Sequence, residues 1–252
     1  MLRRRFLASL VGASLAVPLA MQRCTRRIFL GGTYMLNVSS GYDSMASNWK
    51  AFLQAWRDAP KEYPNTSLAI SVNHDNCESG AQIELLRQRL RLEKLPTSYV
   101  DFLRSARVDE RRQSHKGDNG LYSLEDVNYL SEVDKDYCRI LEEQRIVGAD
   151  PDYFMYGIEQ RSWVSITEFL EGLIVIGKMF PNDYLLMNTK VQTKDGEFEC
   201  ILEGGDFRFR TLSFATMMRS WCVYECNNEP YYPPYPESMF NSGPSSFIKS
   251  GV

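Results

Sequence analysis

Residues 172–202 read GLIVIGKMFPNDYLLMNTKVQTKDGEFECIL. Leu173, Ile174, Val175 and Ile176 form an apolar run between two glycines, and Tyr184 to Met187 form a second. Glu197 to Leu202 then alternates Phe198, Cys200 and Leu202 with polar neighbours. Short apolar or alternating runs bounded by turn residues predict strands. Pro181-Asn182-Asp183 and Lys194-Asp195-Gly196 supply the turns, and Asp-Gly favours a tight hairpin. Connections this short join strands antiparallel, because a parallel crossover takes about a dozen residues. Beyond Gly204-Gly205 a brief Phe207-Arg208-Phe209 strand is expected, and Ser213 is placed to cap a closing helix carrying Phe214, Met217, Met218 and Trp221.

Upstream the period is helical. Asp43 is placed to cap a helix whose Met45, Trp49, Phe52, Leu53 and Trp56 form one stripe. A second helix is predicted over about 80–93, with Ile83, Leu86 and Leu90 inward and Arg87, Arg89, Arg91 and Glu93 solvated. Pro96 suits the first position of a third, whose buried face carries Tyr99, Phe102 and Leu103. The polar stretch 104–120 reads as an exposed loop, and Ser123 with Asp126 as a capping-box-like start of a helix running through Val127 and Leu130 toward Leu141. The expected fold class is therefore α+β, an antiparallel sheet packed against helices.

The chain of 252 residues, 44% hydrophobic and 24% charged, is neither a polytopic membrane protein nor wholly disordered. Six of its 29 bases, all arginine, lie in the first 34 residues, where there is no acid. The other 218 residues hold 23 bases against 32 acids, a net charge of -9. Such a body disfavours direct nucleic-acid binding and suits a basic protein partner.

Residues 1–34 are set apart as an export-like leader or an extension outside the translated protein. Arg3, Arg4 and Arg5 precede the almost uncharged run Phe6 to Met21, and RRRFL is similar to a twin-arginine export motif. Three alternatives stay open: export to the periplasm, a cytoplasmic protein starting near Met35, and an uncleaved amphiphilic anchor. Membrane contact is expected only if the leader is used, and then transiently. A single domain with a helical extension is expected over 40–226, followed by a Pro/Tyr-rich tail, 227–252, in which Pro230, Pro233, Pro234 and Pro236 forbid a helix.

Chemistry-bearing motifs are sparse. The six cysteines have no CxxC spacing, Cys222 and Cys226 share a predicted helix face, and His74 and His115 are the only histidines. A weak metal-hydrolase alternative would recruit His74, Asp75 and Glu78. G-x-S-x-G and a phosphate-binding loop are missing, and no enzyme and no cofactor is expected.

The ordered set IELLRQRLRLEKLP, LPTSYVDFL, LYSLEDV, GLIVIG, DYLLMN, DGEF and SFATMMRSW, spanning about residues 80–223, resembles the SUKH superfamily. Met217 and Met218 stand where an aromatic is commoner in that family, and the long amino-terminal region and the 104–120 loop also depart from it. The resemblance implies a SUKH-like fold and non-catalytic binding. Bacterial members are toxin-immunity proteins, often encoded beside the toxin they neutralise, and eukaryotic relatives are interaction or scaffold modules.

A charge cluster independently suggests where a toxin would bind. Asp118 to Asp152 holds ten acids and three bases. The expected partner-binding residues are Glu125, Asp126, Tyr129, Glu132, Asp134, Asp136, Tyr137, Glu142, Glu143, Asp150, Asp152 and Tyr153, the carboxylates steering a basic partner and the tyrosines anchoring it.

Overall fold

The computed structural model describes residues 28–30, 33–36, 38–45, 47–58, 77–106, 120–143, 153–157, 160, 166–180, 183–204 and 207–227. His74, His115, Asp150, Asp152, most of the leader, most of the 104–120 loop and the tail from 228 lie outside them.

The predicted meander is present. Strands β5 (Leu173–Phe180), β6 (Asp183–Thr193), β7 (Phe198–Gly204) and β8 (Phe207–Thr211) pair antiparallel in sequence order. Gly196, with φ +80°, takes the left-handed position of the β6–β7 turn. Two pairs of short strands, legible in no apolar run, extend the sheet. β3 (Gly120–Leu121) and β4 (Asn128–Tyr129) pair antiparallel with β5. β1 (Ile28–Leu30) and β2 (Thr33–Leu36) form a hairpin, so ordered structure begins before the expected boundary at residue 40. β2 runs parallel to β6 at Tyr34–Leu36, which makes the sheet mixed rather than wholly antiparallel. The length of β6 explains this: β5 pairs only with Asp183–Asn188, β7 holds the other edge as far as Gln192, and β2 fills the edge that β5 leaves.

Both faces of the sheet are covered, where an exposed second face would have been compatible with an antiparallel meander. Ile174, Ile176, Leu185, Met187 and Cys200 face a layer built from α1 (Trp49–Asp58), α2 (Gly80–Arg89), α3 (Thr97–Leu103) and α6 (Phe214–Asn227). Phe214 centres that layer, its ring 4.9 Å from Tyr99, 5.1 Å from Phe102 and 5.7 Å from Trp49. The alternate residues Leu173, Val175, Leu186 and Ile201 face α4 (Leu130–Val133), α5 (Lys135–Glu143), a 3-10 helix (Thr167–Gly172) and Tyr153-Phe154. Burial on both faces is why the strands read as continuous apolar runs.

Helix starts were legible to differing degrees. Ser79 and Gln82 make a reciprocal capping box for α2, and Ser213 Oγ accepts from the Thr216 amide at the start of α6. Pro96 is the N-cap of α3, one place before the expected position. Asp43 does not cap α1: its Oδ1 closes a turn with the Met45 amide, Met45 is 96% exposed, and Asn48 Oδ1 accepts from Ala51. Ser123 Oγ bonds Asp126 Oδ2 at 2.8 Å in a turn, not a helix start. Arg89 donates to the carbonyls of Leu124 and Val127, holding that turn against α2, and the expected single helix is two short ones broken at Asp134.

At Gly177 the sheet leaves no room for a side chain. A Cβ would lie 2.6 Å from the Gly120 carbonyl and 3.0 Å from Leu121 Cα, both backbone atoms of β3. Gly177→Ala is expected to push β3 from β5 and cost about 1–3 kcal/mol in urea unfolding; an unchanged midpoint would show that β3 yields freely.

Candidate partner-binding face

α5 is amphipathic, with Cys138 and Leu141 buried and Asp136, Arg139, Ile140, Glu142 and Glu143 exposed. Asp134 fixes its start: Oδ1 accepts the Tyr137 amide at 2.8 Å, the carbonyl accepts from Cys138, and Oδ2 accepts the Tyr184 hydroxyl at 2.6 Å. Partial burial opposes the charge of Asp134, but the Tyr184 and Tyr137 hydrogen bonds and nearby Lys178 outweigh it and hold the carboxyl below its ordinary range.

The helix is tied to the sheet by buried charge. Tyr137 donates to Glu203 Oε1 at 2.6 Å, and Arg208 donates to Glu203 Oε2 across the β7–β8 pair. Four residues earlier on the same face, Glu199 accepts from Tyr153 at 2.6 Å, Tyr156 at 2.8 Å and Asn188 at 2.8 Å. The Arg210 guanidinium lies 4.6 Å above the Tyr153 ring and donates to the Tyr153 and Met155 carbonyls. Burial raises the carboxyls of Glu199 and Glu203, and their arginine and hydrogen-bond partners offset only part of that.

Between α4, α5 and the 3-10 helix lies an open groove of about 280 Å³. Cys138 and Leu170, each 8% exposed, contribute apolar lining, with Tyr129 and Ser131 beside them. Glu132, Glu142 and Glu171 line the groove with exposed side chains, and among the described residues none of the three is in an ion pair. Arg139 turns to the outer side of α5, 2.8 Å from Glu143 and 3.7 Å from Asp136. The groove can take a cation with an aliphatic stem. Its thiol is not activated: burial, then Glu142 and Asp134, raise Cys138, the reverse of what a nucleophilic thiolate needs.

The expected residues divide accordingly. Glu132 and Glu142 line the groove with Tyr129, whose hydroxyl is committed to the Leu90 carbonyl at 2.8 Å. Asp136 and Glu143 are exposed on the outer side of α5, and Glu125 and Asp126 sit on the 123–127 turn. Tyr153 is corrected from anchor to core, being 1% exposed beneath Phe169 and bonded to Glu199. Asp134 and half-buried Tyr137 serve the helix start and its tether. Leu170 and Glu171 were missed, because they lie outside the acidic run and reach the groove only through the fold.

Cys138 and Cys200 are free thiols. Among the described residues, no group of three or more His, Cys, Asp or Glu is placed to hold a metal ion, and no helix is long and apolar enough to cross a membrane. No family model, no curated protein and no solved structure matches the chain.

Glu199→Ala is expected to cost about 3–5 kcal/mol in urea unfolding, because it strands Arg210 and three donors in the interior; a loss under about 1 kcal/mol would contradict that role. For Asp134 the folded carboxyl is depressed, so its contribution is present above the ordinary value of 3.8 and is lost as pH falls through the lower folded value. Asp134→Asn, which retains a capping side chain, is expected to be about 1 kcal/mol less stable at pH 7, the gap closing below that value. A gap independent of pH between 2 and 7 in paired melts, spanning about five units, would rule this out.

Proposed function

We propose that the chain is a non-catalytic binding protein whose α4–α5 face captures a basic protein, and that this partner is a cognate bacterial toxin. The observation that carries the binding half is the groove holding Glu132, Glu142 and Glu171 exposed around apolar lining on a helix pair tied to the sheet. The toxin half rests on the resemblance to SUKH immunity proteins. Opposite charge speeds encounter and selects the partner, while apolar contact at the groove adds affinity once water is expelled. Neutralisation then follows by occlusion, with the carboxylates occupying the basic surface the toxin uses on its own substrate.

The test is co-expression with the product of the adjacent gene, followed by pull-down and rescue from toxicity. Glu132→Lys, Glu142→Lys and Glu171→Lys together are expected to weaken binding tenfold or more, about 1.4 kcal/mol, and to abolish rescue with the thermal transition retained. Unchanged affinity at both low and moderate salt would reject the face. Retained binding without rescue by the unaltered chain would favour an interaction scaffold over an immunity protein.

A further inference from the structure

We infer that residues 153–157, with Gln160, form a strap over the sheet whose closure takes up a proton at Glu199, so that acid tightens the strap and neutral pH loosens it. The inference is independent of the proposed partner and stands on how the strap is held. Tyr153 and Tyr156 donate to the two oxygens of Glu199 at 2.6 and 2.8 Å. The Tyr153 and Met155 carbonyls accept from the Arg210 guanidinium. The Gln160 side-chain amide accepts from the Arg210 N–H at 2.7 Å and donates to the Arg210 carbonyl at 3.3 Å. These ties run through side chains, and they meet on two charged residues, Glu199 and Arg210, which are 1% and 0% exposed. Aromatic packing covers the rest, the Tyr153 ring 4.5 Å from Phe169 and the Phe154 ring 5.4 Å from Tyr34.

The two charges do not answer each other fully. Arg210 spends its donors on the strap carbonyls, its Nε is buried without a hydrogen-bond partner, and its guanidinium is held over the Tyr153 and Tyr156 rings, 4.6 and 5.6 Å away. From β6, Asn188 donates to Glu199 at 2.8 Å, and the 3-10 helix presents only the Phe169 ring, beyond Tyr153. Glu203, next on this face of β7 past Ile201, has its own partners in Arg208 and Tyr137. Burial therefore outweighs Arg210 and the three hydrogen bonds, and raises the Glu199 carboxyl above its ordinary 4.5. An open strap returns Glu199 to water and to that ordinary value. The closed form thus binds the proton more tightly: its contribution to closure is fully present below 4.5 and is lost as pH rises through the closed value. Either tyrosine oxygen can accept the acid proton, because a phenol both donates and accepts. Burial and the Glu199 charge push both phenols up, so neither titrates in this range.

The test is residue-resolved hydrogen–deuterium exchange of the full chain at about pH 5 and about pH 8, corrected for intrinsic rates and read at two amides. The Arg210 N–H is bonded to Gln160 Oε1 and the Gln160 N–H to the Gly157 carbonyl, so both exchange when the strap opens. Protection at both is expected to be higher in acid by about threefold or more, while Leu186 and Ile201, paired at the centre of the sheet, change less. Glu199→Gln, which stays neutral, is expected to remove the difference, and Tyr156→Phe, which takes a donor from the ionised form, to widen it. Equal protection at the two pH values, or a difference that survives Glu199→Gln, would overturn the inference. So would parallel changes at Leu186 and Ile201, which would mean that the whole domain opens. Should Glu199→Gln not fold, Tyr156→Phe decides alone, and an unchanged or smaller pH difference overturns the linkage.

Discussion

Carboxylates buried on one face of β7 govern the second layer of this protein. Alternation along the strand turns Glu199, Ile201 and Glu203 the same way, so two charges share a face with the apolar residues that pack α5 and the 3-10 helix. Ions without partners would be too costly there. Each takes part of its hydrogen bonding from the docked layer, Tyr137 of α5 for Glu203 and Tyr153 and Tyr156 for Glu199, beside Arg208 and Asn188 of the sheet. Docking the layer therefore completes the hydrogen bonding of the strand, and detaching α5 would take the Tyr137 donor from Glu203 and leave it with Arg208.

That coupling explains why the rim can be acidic without α5 fraying. Its inner side is held by hydrogen bonds to β6 and β7, through Tyr184 to Asp134 and through Tyr137 to Glu203. Its outer ion pairs, Arg139 with Asp136 and Glu143, are more than half exposed and contribute little. The charge that forms the face is thus separable from the charge that builds the fold, and substitutions at the rim test binding without touching the helix start.

The sheet was legible wherever a run carried its own period. The strands from Leu173 to Thr211, the Asp-Gly turn, the α1 stripe from Trp49 to Trp56 and the Ser213 cap all follow from local patterns. What escaped depends on the fold. β3 and β4 are two residues each, too short for any periodicity, and β2 exists because β6 outruns β5. Asp43 and Ser123 are good cap residues that formed turns instead, Ser123 beside a turn whose carbonyls Arg89 claims. Of the candidate site, the charge run marked Glu132 and Glu142, but composition treats all acids alike. Asp134 turned inward to Tyr184, Tyr153 went to the core, and Glu171 arrived from another element.

The same distinction bears on what a net charge of -9 over the last 218 residues means for a partner. Glu197 is spent at the start of α3, where it accepts from Ser98, and Glu199 and Glu203 face arginines inside the protein. These project little field to solvent, because each is answered within a few ångströms. The three groove carboxylates differ, since nothing described neutralises them and they share one concavity. Crowding like charges in this way destabilises the folded chain slightly, and a bound cation removes that repulsion while adding its own attraction. The groove therefore gains more from a positive ligand than a dispersed set of the same acids would, and salt weakens both contributions together.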